Sequence, residues 1–154
     1  MRIPRVTAMQ VSVLPPPRVW ERLEAYTLRG VLHVPRTAEP CWLWTGPVNG
    51  AGYGELAWHQ DVAGQRVYVH AHAHWLAYAR ARLGGRTPAI PGAIISHRCD
   101  VRLCVNPRHL YLGNRHSNAR DVVVRGRSAY DGVARAVRNT FRAAVARAAE
   151  RGRL

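Results

Sequence analysis

Apolar positions along the chain change their spacing several times, and each change marks an element. In residues 19–28 (VWERLEAYTL), Trp20, Leu23 and Leu28 recur at helical intervals with charges between them, which predicts a short helix. Residues 1–18 hold a Pro15-Pro16-Pro17 run and read as extended chain, and residues 30–40 read as a linker with two prolines. Cys41–Trp44 (CWLW) predicts a strand with a bulky apolar face, Trp42 and Trp44 being read as core. Residues 46–54 carry four glycines and an Asn49-Gly50 pair, a hairpin signal. Residues 53–58 and 65–70 predict further strands, and Tyr68, His70 and His72 alternate as on one polar strand face. From His74 to Leu83 the period turns helical: Trp75, Leu76, Ala79 and Leu83 share a face, Arg80 and Arg82 point away, and Gly84-Gly85 stops the helix.

Residues 93–154 hold one more unit and a tail. Residues 93–97 form a short apolar run, 99–107 a polar loop ending in proline, and 110–112 a second apolar run. Asn114 can cap a helix over Arg115–Val124 that Gly126 would end. Residues 130–151 predict a basic amphipathic helix, with Asp131 as N-cap. Its stripe of Val133, Val137, Phe141, Ala144 and Ala148 lies opposite Arg135, Arg138 and Arg142.

Charge adds a partner to this outline. The net charge is +14, lysine is absent, and acids number only 9 against 23 basic residues. Arginine presents a planar donor fork that fits phosphate and guanine edges, so a polyanion is the expected partner. At 154 residues the chain suffices for a single modest core. Three cysteines, an odd number, do not make a disulfide scaffold, and the N-terminus shows no secretory pattern or membrane span, so a reduced, cytoplasmic setting is expected.

The chemistry is concentrated in residues 94–127. His97, Cys99, Cys104, Asn106, His109, His116, Asn118 and Asp121 lie there in fewer than thirty positions. The order strand, loop, strand, helix is that of a ββα finger. Residues 94–127 resemble the HNH endonuclease family, in its phage-type branch with cysteines in the loop. The matching positions are His97 in SHRCD, Cys104, Asn106, Pro107, His109 and Leu110 in CVNPRHL, Asn118 and Asp121 in NARD, and Gly126-Arg127. Upstream, CWLWTG, GYG and HAHWLAYARARLGG extend the resemblance over residues 40–127.

The resemblance implies an α+β protein. A small antiparallel β region and a ββα-metal (HNH) finger would occupy residues 39–127, after an N-terminal extension with a short helix (1–38) and before the basic C-terminal helix (128–154). It implies metal-dependent hydrolysis of DNA phosphodiesters, of phage or mobile-element type, with homing or nicking enzymes among the forms implied. His97 would be the general base, and Asn118 would give an oxygen to a single divalent cation, Mg2+ or similar. Many family members have Asp just before that histidine as second ligand; here it is Ser96, a poor neutral ligand, with Asp121 or His116 as replacements. A catalytically inactive, zinc-stabilised DNA-binding module is the alternative.

Cys41, Cys99, Cys104 and His109 supply three thiols and an imidazole, the donor set of a closed structural Zn2+ site. His109 has a second assignment, as the residue that orients His97. Asn106 reads as structural, an Asn-Pro turn pinning the loop. The run His70, His72, His74 can be read as a metal site, but only His74 matches a family position, and not a catalytic one. Double-stranded DNA would be held by Arg98, Arg102, Arg108, Arg115, Arg120, Arg125, Arg127, Arg135, Arg138 and Arg142, mostly through phosphate. The protein would act as monomer or homodimer, with no membrane contact.

Overall fold

The computed structural model describes residues 3–8, 12–87 and 90–125. The expected basic helix over 130–151, with Arg135, Arg138 and Arg142, lies outside them, as does Arg127. The chain is a mixed α+β protein whose packing divides it into two units, Met1–Leu112 and Gly113–Leu154. No helix among the described residues is long and apolar enough to cross a membrane.

The first unit is built on a three-stranded sheet in the order β1-β5-β4, comprising β1 (Arg5–Thr7), β4 (Glu55–Val62) and β5 (Gln65–His72). β4 and β5 pair antiparallel from Glu55↔His72 to Val62↔Gln65. Ala63 and Gly64, both with positive φ, form their two-residue turn, as the twist of a tight hairpin requires. β1 pairs parallel to β5, Arg5 beside Tyr68. Residues read as plain extended chain are thus a strand of the main sheet. β2 (Thr27–Leu32) and β3 (Cys41–Trp44) form a second, antiparallel ladder, and β6 (Ile94–His97) pairs with β7 (Leu110–Gly113) in a third.

Helix α1 (Pro17–Ala25) starts two residues before the predicted helix and ends three residues short of it. Proline is favoured at a helix start, where its missing N–H is not needed. Thr27 and Leu28 fall instead in β2, because the ladder with β3 overrides their weak helical spacing. Arg18 and Arg22, one turn apart on α1, donate to the backbone carbonyls of His59 and Ala57 on β4. The Asn49-Gly50 signal marks a short closed loop: Asn49 Oδ1 accepts from the N–H groups of Ala51 and Tyr53, and Val48 bridges Gly54.

The core gathers Val19 and Leu23 of α1, Trp44, Leu56, Val69, and Trp75 and Leu76 of α2 (Ala73–Arg82). Trp44 is fully buried, as expected, and donates from Nε1 to the Pro47 carbonyl. Gly54 lies so close to it that a Cβ there would fall 2.3 Å from the indole. Trp42 is only half-buried, with the Arg29 guanidinium stacked 4.4 Å over its ring.

In the second unit, α3 covers Arg115–Val124. Asn114 caps it as predicted: its side chain accepts from Ser117 N–H, and the Ser117 hydroxyl accepts from the Asn114 N–H. No residue of α3 is buried, and Val123 and Val124 are 76% and 75% exposed.

Candidate metal centre and histidine cluster

Three stretches distant in sequence build a buried Cys3His corner. Cys41 opens β3, Cys99 and Cys104 bound the loop after β6, and His109 ends a turn of 3-10 helix, Pro107–His109. The remoteness of Cys41 is overcome by backbone pairing. Trp44 N–H donates to Leu103 C=O at 2.9 Å and Val105 N–H to Trp42 C=O at 2.7 Å, so β3 runs alongside residues 103–105. Asn106, fully buried, ties the same seam: Nδ2 donates to the Pro40 carbonyl at 2.9 Å, and Oδ1 accepts from Arg108 N–H at 3.0 Å. It is thus a clamp on the loop, as its Asn-Pro turn suggested. Asp100 adopts a left-handed backbone and accepts from Arg36 at 2.6 Å.

The four ligand atoms of Cys41, Cys99, Cys104 and His109 all lie within 4.8 Å of one another, and the cysteines are free thiols. His109 turns Nδ1 to the sulfurs, 3.5 Å from both Cys41 and Cys104. Of its two assignments, that ring position matches membership of the thiol set. Hydrogen bonds from the Cys41 and Cys99 thiols hold Cys104 toward thiolate. The same bonds to Cys104, reinforced by burial, push the thiols of Cys41 and Cys99 up. One proton-poor sulfur among three sulfurs and an imidazole is what a cation would complete. The group could hold a metal such as zinc.

A second cluster adjoins β6. His97 ends that strand, 7% exposed, with Nε2 3.1 Å from the Cys104 carbonyl. A carbonyl only accepts, so Nε2 carries the hydrogen and Nδ1 is the basic nitrogen of the neutral ring. Three further rings pack around it. His74, on the first turn of α2, lies 4.7 Å from His97 between centroids; Tyr53 lies 6.3 Å away; and His72 stacks on Tyr53 at 5.2 Å. His72 Nε2 is 3.1 Å from Asn49 Nδ2. Burial, then His97 and His72, hold His74 well below the usual histidine range, against a hydrogen bond to the Ile95 backbone. His72 is also lowered by burial, partly offset by Glu55.

The sequence did not join Tyr53, His72 and His74 to His97. Their signals were the GYG motif and the alternating histidines, but β5 ends at His72 and the chain turns into α2, so His70, His72 and His74 do not share one strand face.

The remaining candidates fall into separate places. Ser96 is buried, and its Oγ has no hydrogen-bond partner among the described residues. Asn118 lies half-buried and His116 exposed on α3, where Asp121 pairs with Arg125 at 2.9 Å. Arg98 stacks 4.9 Å over Tyr111, and Arg102 5.5 Å over Tyr53 while donating to the Ala51 carbonyl. Arg108 is paired with Glu39, and Arg115 and Arg120 are exposed.

No protein-family model matches the chain, and no solved structure matches it. Two proteins of Escherichia phage T7 are similar to it. Protein 2.8 is 36% identical over 92 residues, covering 60% of this chain and 55% of that protein. Protein 7.7 is 37% identical over 91 residues, covering 59% and 61%. The chain therefore spans little more than half the length of these phage relatives.

Proposed function

We propose that the chain is a metal-dependent DNA endonuclease of the HNH type, with His97 as general base and the Cys3His corner as a structural zinc site. The observation that carries this reading is the setting of His97. A strand end fixes its backbone, and the Cys104 carbonyl fixes its tautomer and aim. That carbonyl belongs to a residue of the zinc corner, so the ion would hold the loop that orients the base. Hydrolysis of a phosphodiester needs a base to take a proton from water, and a buried, oriented imidazole supplies it.

In the same reading β6, the loop, β7 and α3 are the successive parts of the ββα finger. The order of motifs along the chain assigns Asn118 as an oxygen ligand of the catalytic cation, Mg2+ or similar, which would stabilise the leaving oxygen. Double-stranded DNA is the substrate, with exposed arginines such as Arg98, Arg102, Arg115 and Arg120 on phosphate. The +14 charge supports such a partner.

A second reading, a zinc-stabilised DNA-binding module without catalysis, is favoured by two observations. Ser96 is buried where many family members carry Asp, and Asp121 is engaged by Arg125. Relaxation of supercoiled plasmid by wild type and His97→Ala, with Mg2+ and with EDTA, separates the two. The nuclease reading expects nicking by wild type with metal only, and at least about 100-fold less from the variant. Salt-sensitive binding without nicking across several divalent metals would replace it with the module.

A further inference from the structure

We infer that the outer face of the three-stranded sheet binds single-stranded DNA, with bases stacking on Tyr68 and His59 and Arg5 taking a phosphate beside them. The two faces of this sheet differ in kind. Successive side chains of a strand point to opposite faces. Leu56 and Trp58 of β4, and Val67, Val69 and Ala71 of β5, are buried in the core. The alternate positions, His59 on β4 and Arg66, Tyr68, His70 and His72 on β5, therefore lie on the other face, and none of them is buried. A face that met only water would need polar groups but no rings. This one carries three imidazoles and a phenol.

The rings are placed in register. Arg5 of β1, Tyr68 and His59 form one row across the three strands. The His59 and Tyr68 centroids are 5.0 Å apart, and the Arg5 guanidinium stands 5.4 Å over the Tyr68 ring. A planar cation over the phenol shows that this ring accepts a planar partner. Arg5 is exposed, so a base can take its place while the guanidinium turns to phosphate. Four residues along β5, about 14 Å away, the pairing of ring and arginine recurs. His72 stacks on Tyr53 at 5.2 Å with the planes 11° apart, and Arg102 stands 5.5 Å over Tyr53.

Charge and rings together choose the occupant. Arg5, Arg18, Arg22 and Arg66 stand against Glu55 and Asp61, and Asp61 is offset by Arg66 at 3.7 Å. The excess of cations favours a polyanion. In a duplex the base faces are stacked inside, so exposed rings find nothing to stack on; in a single strand every base offers a face. The choice of DNA as the polymer rests on the nuclease reading, but the face would bind equally in a module without cleavage.

The test follows fluorescence anisotropy of the full-length, zinc-loaded protein with a labelled single strand of about 16 thymidines and a duplex of equal length, in about 0.15 M salt without Mg2+. Wild type should bind the single strand. Tyr68→Val should weaken that binding at least about tenfold and duplex binding less than about twofold. Arg5→Ala should weaken the single strand about threefold, and Arg82→Ala, which removes an exposed charge from α2, less than about twofold. An iodouracil-substituted strand cross-linked by light to wild type should mark Tyr68 or His59 in peptide mapping. No single-strand binding, an adduct confined to residues 94–125, equal losses from Arg5→Ala and Arg82→Ala, or equal losses of single strand and duplex in Tyr68→Val would overturn the inference. Tighter binding of the matching uridine strand would overturn the assignment to DNA. Cleavage enters none of these readouts, so their failure is distinct from a failure of nuclease activity.

Discussion

The Cys3His corner and the histidine cluster share the Cys104 backbone and are built on opposite plans. In the corner, side chains converge: four ligand atoms lie within 4.8 Å of one another, and three of the four come from residues 99–109. In the cluster, rings pack against one another at 4.7–6.3 Å, and what fixes the aim of His97 is backbone, the Cys104 carbonyl. A site enclosed by protein donors suits a structural role. A site with few donors and a half-buried rim leaves room for water or substrate. The comparison teaches that the enclosed corner sets the aim of the open cluster, because Cys104 belongs to both.

The strongest way to break that picture is to open the corner. Chelation of the metal or Cys104→Ser should cause the largest loss of all. Calorimetry should show a Tm drop of about 2–4 °C per kcal/mol lost at this chain length. The imidazole resonances of His97 in nuclear magnetic resonance should shift in the same sample. An unchanged Tm on chelation would show that the corner carries no stabilising ion.

Asn106→Ala comes next. It removes the part-buried bonds to the Pro40 carbonyl and from the Arg108 N–H, each worth about 0.5–1.5 kcal/mol, while leaving every thiol in place. Chemical denaturation should read a loss in that range with the metal still bound. A loss below about 0.5 kcal/mol would show that the seam holds without its clamp. Asn49→Ala acts on the cluster alone, removing two bonds to backbone N–H groups and the contact with His72. Its cost should be smaller, about 1 kcal/mol in denaturant unfolding, with metal content unaltered.

The smallest effect is a matter of pH. His74 titrates below its ordinary 6.5 because burial and two neighbouring imidazoles oppose its charge. The unfolded chain therefore takes up this proton first. The stability due to neutral His74 is complete above about pH 6.5 and declines as pH falls below it. Facing the ring are His72, His97 and Tyr53 and the Ile95 backbone. His74→Phe should flatten the acid limb of the stability profile relative to wild type; parallel limbs would place the buried charge penalty elsewhere.

The two regions also differ in how far they could be read from the chain. Cysteines are scarce and their donor chemistry is narrow, so Cys41, Cys99, Cys104 and His109 pointed to a metal group before any coordinates, and the group is present and buried. Local capping was equally legible at Asn114, since a cap depends on residues a few positions away. The histidine cluster was not legible. It depends on where β5 stops and α2 begins, and on the loop that carries Tyr53 to His97, which are tertiary facts. The strand β1 was missed for the same reason: it has no alternation of its own and exists because β5 offers it an edge. Thr27 and Leu28 passed from a predicted helix to β2 because ladder pairing outweighs a weak period.

The register of β1 on β5 sets a timetable for synthesis. Arg5 pairs with Tyr68, and Cys41 meets His109 across 68 positions. On a ribosome the first strand emerges long before its partner, and the first cysteine of the corner long before the imidazole that faces it. Contacts of such separation form late because loop closure must precede them. Cys41 therefore stays an uncommitted thiol while 68 further residues are added, and the corner closes only when the far end of its loop has left the exit tunnel.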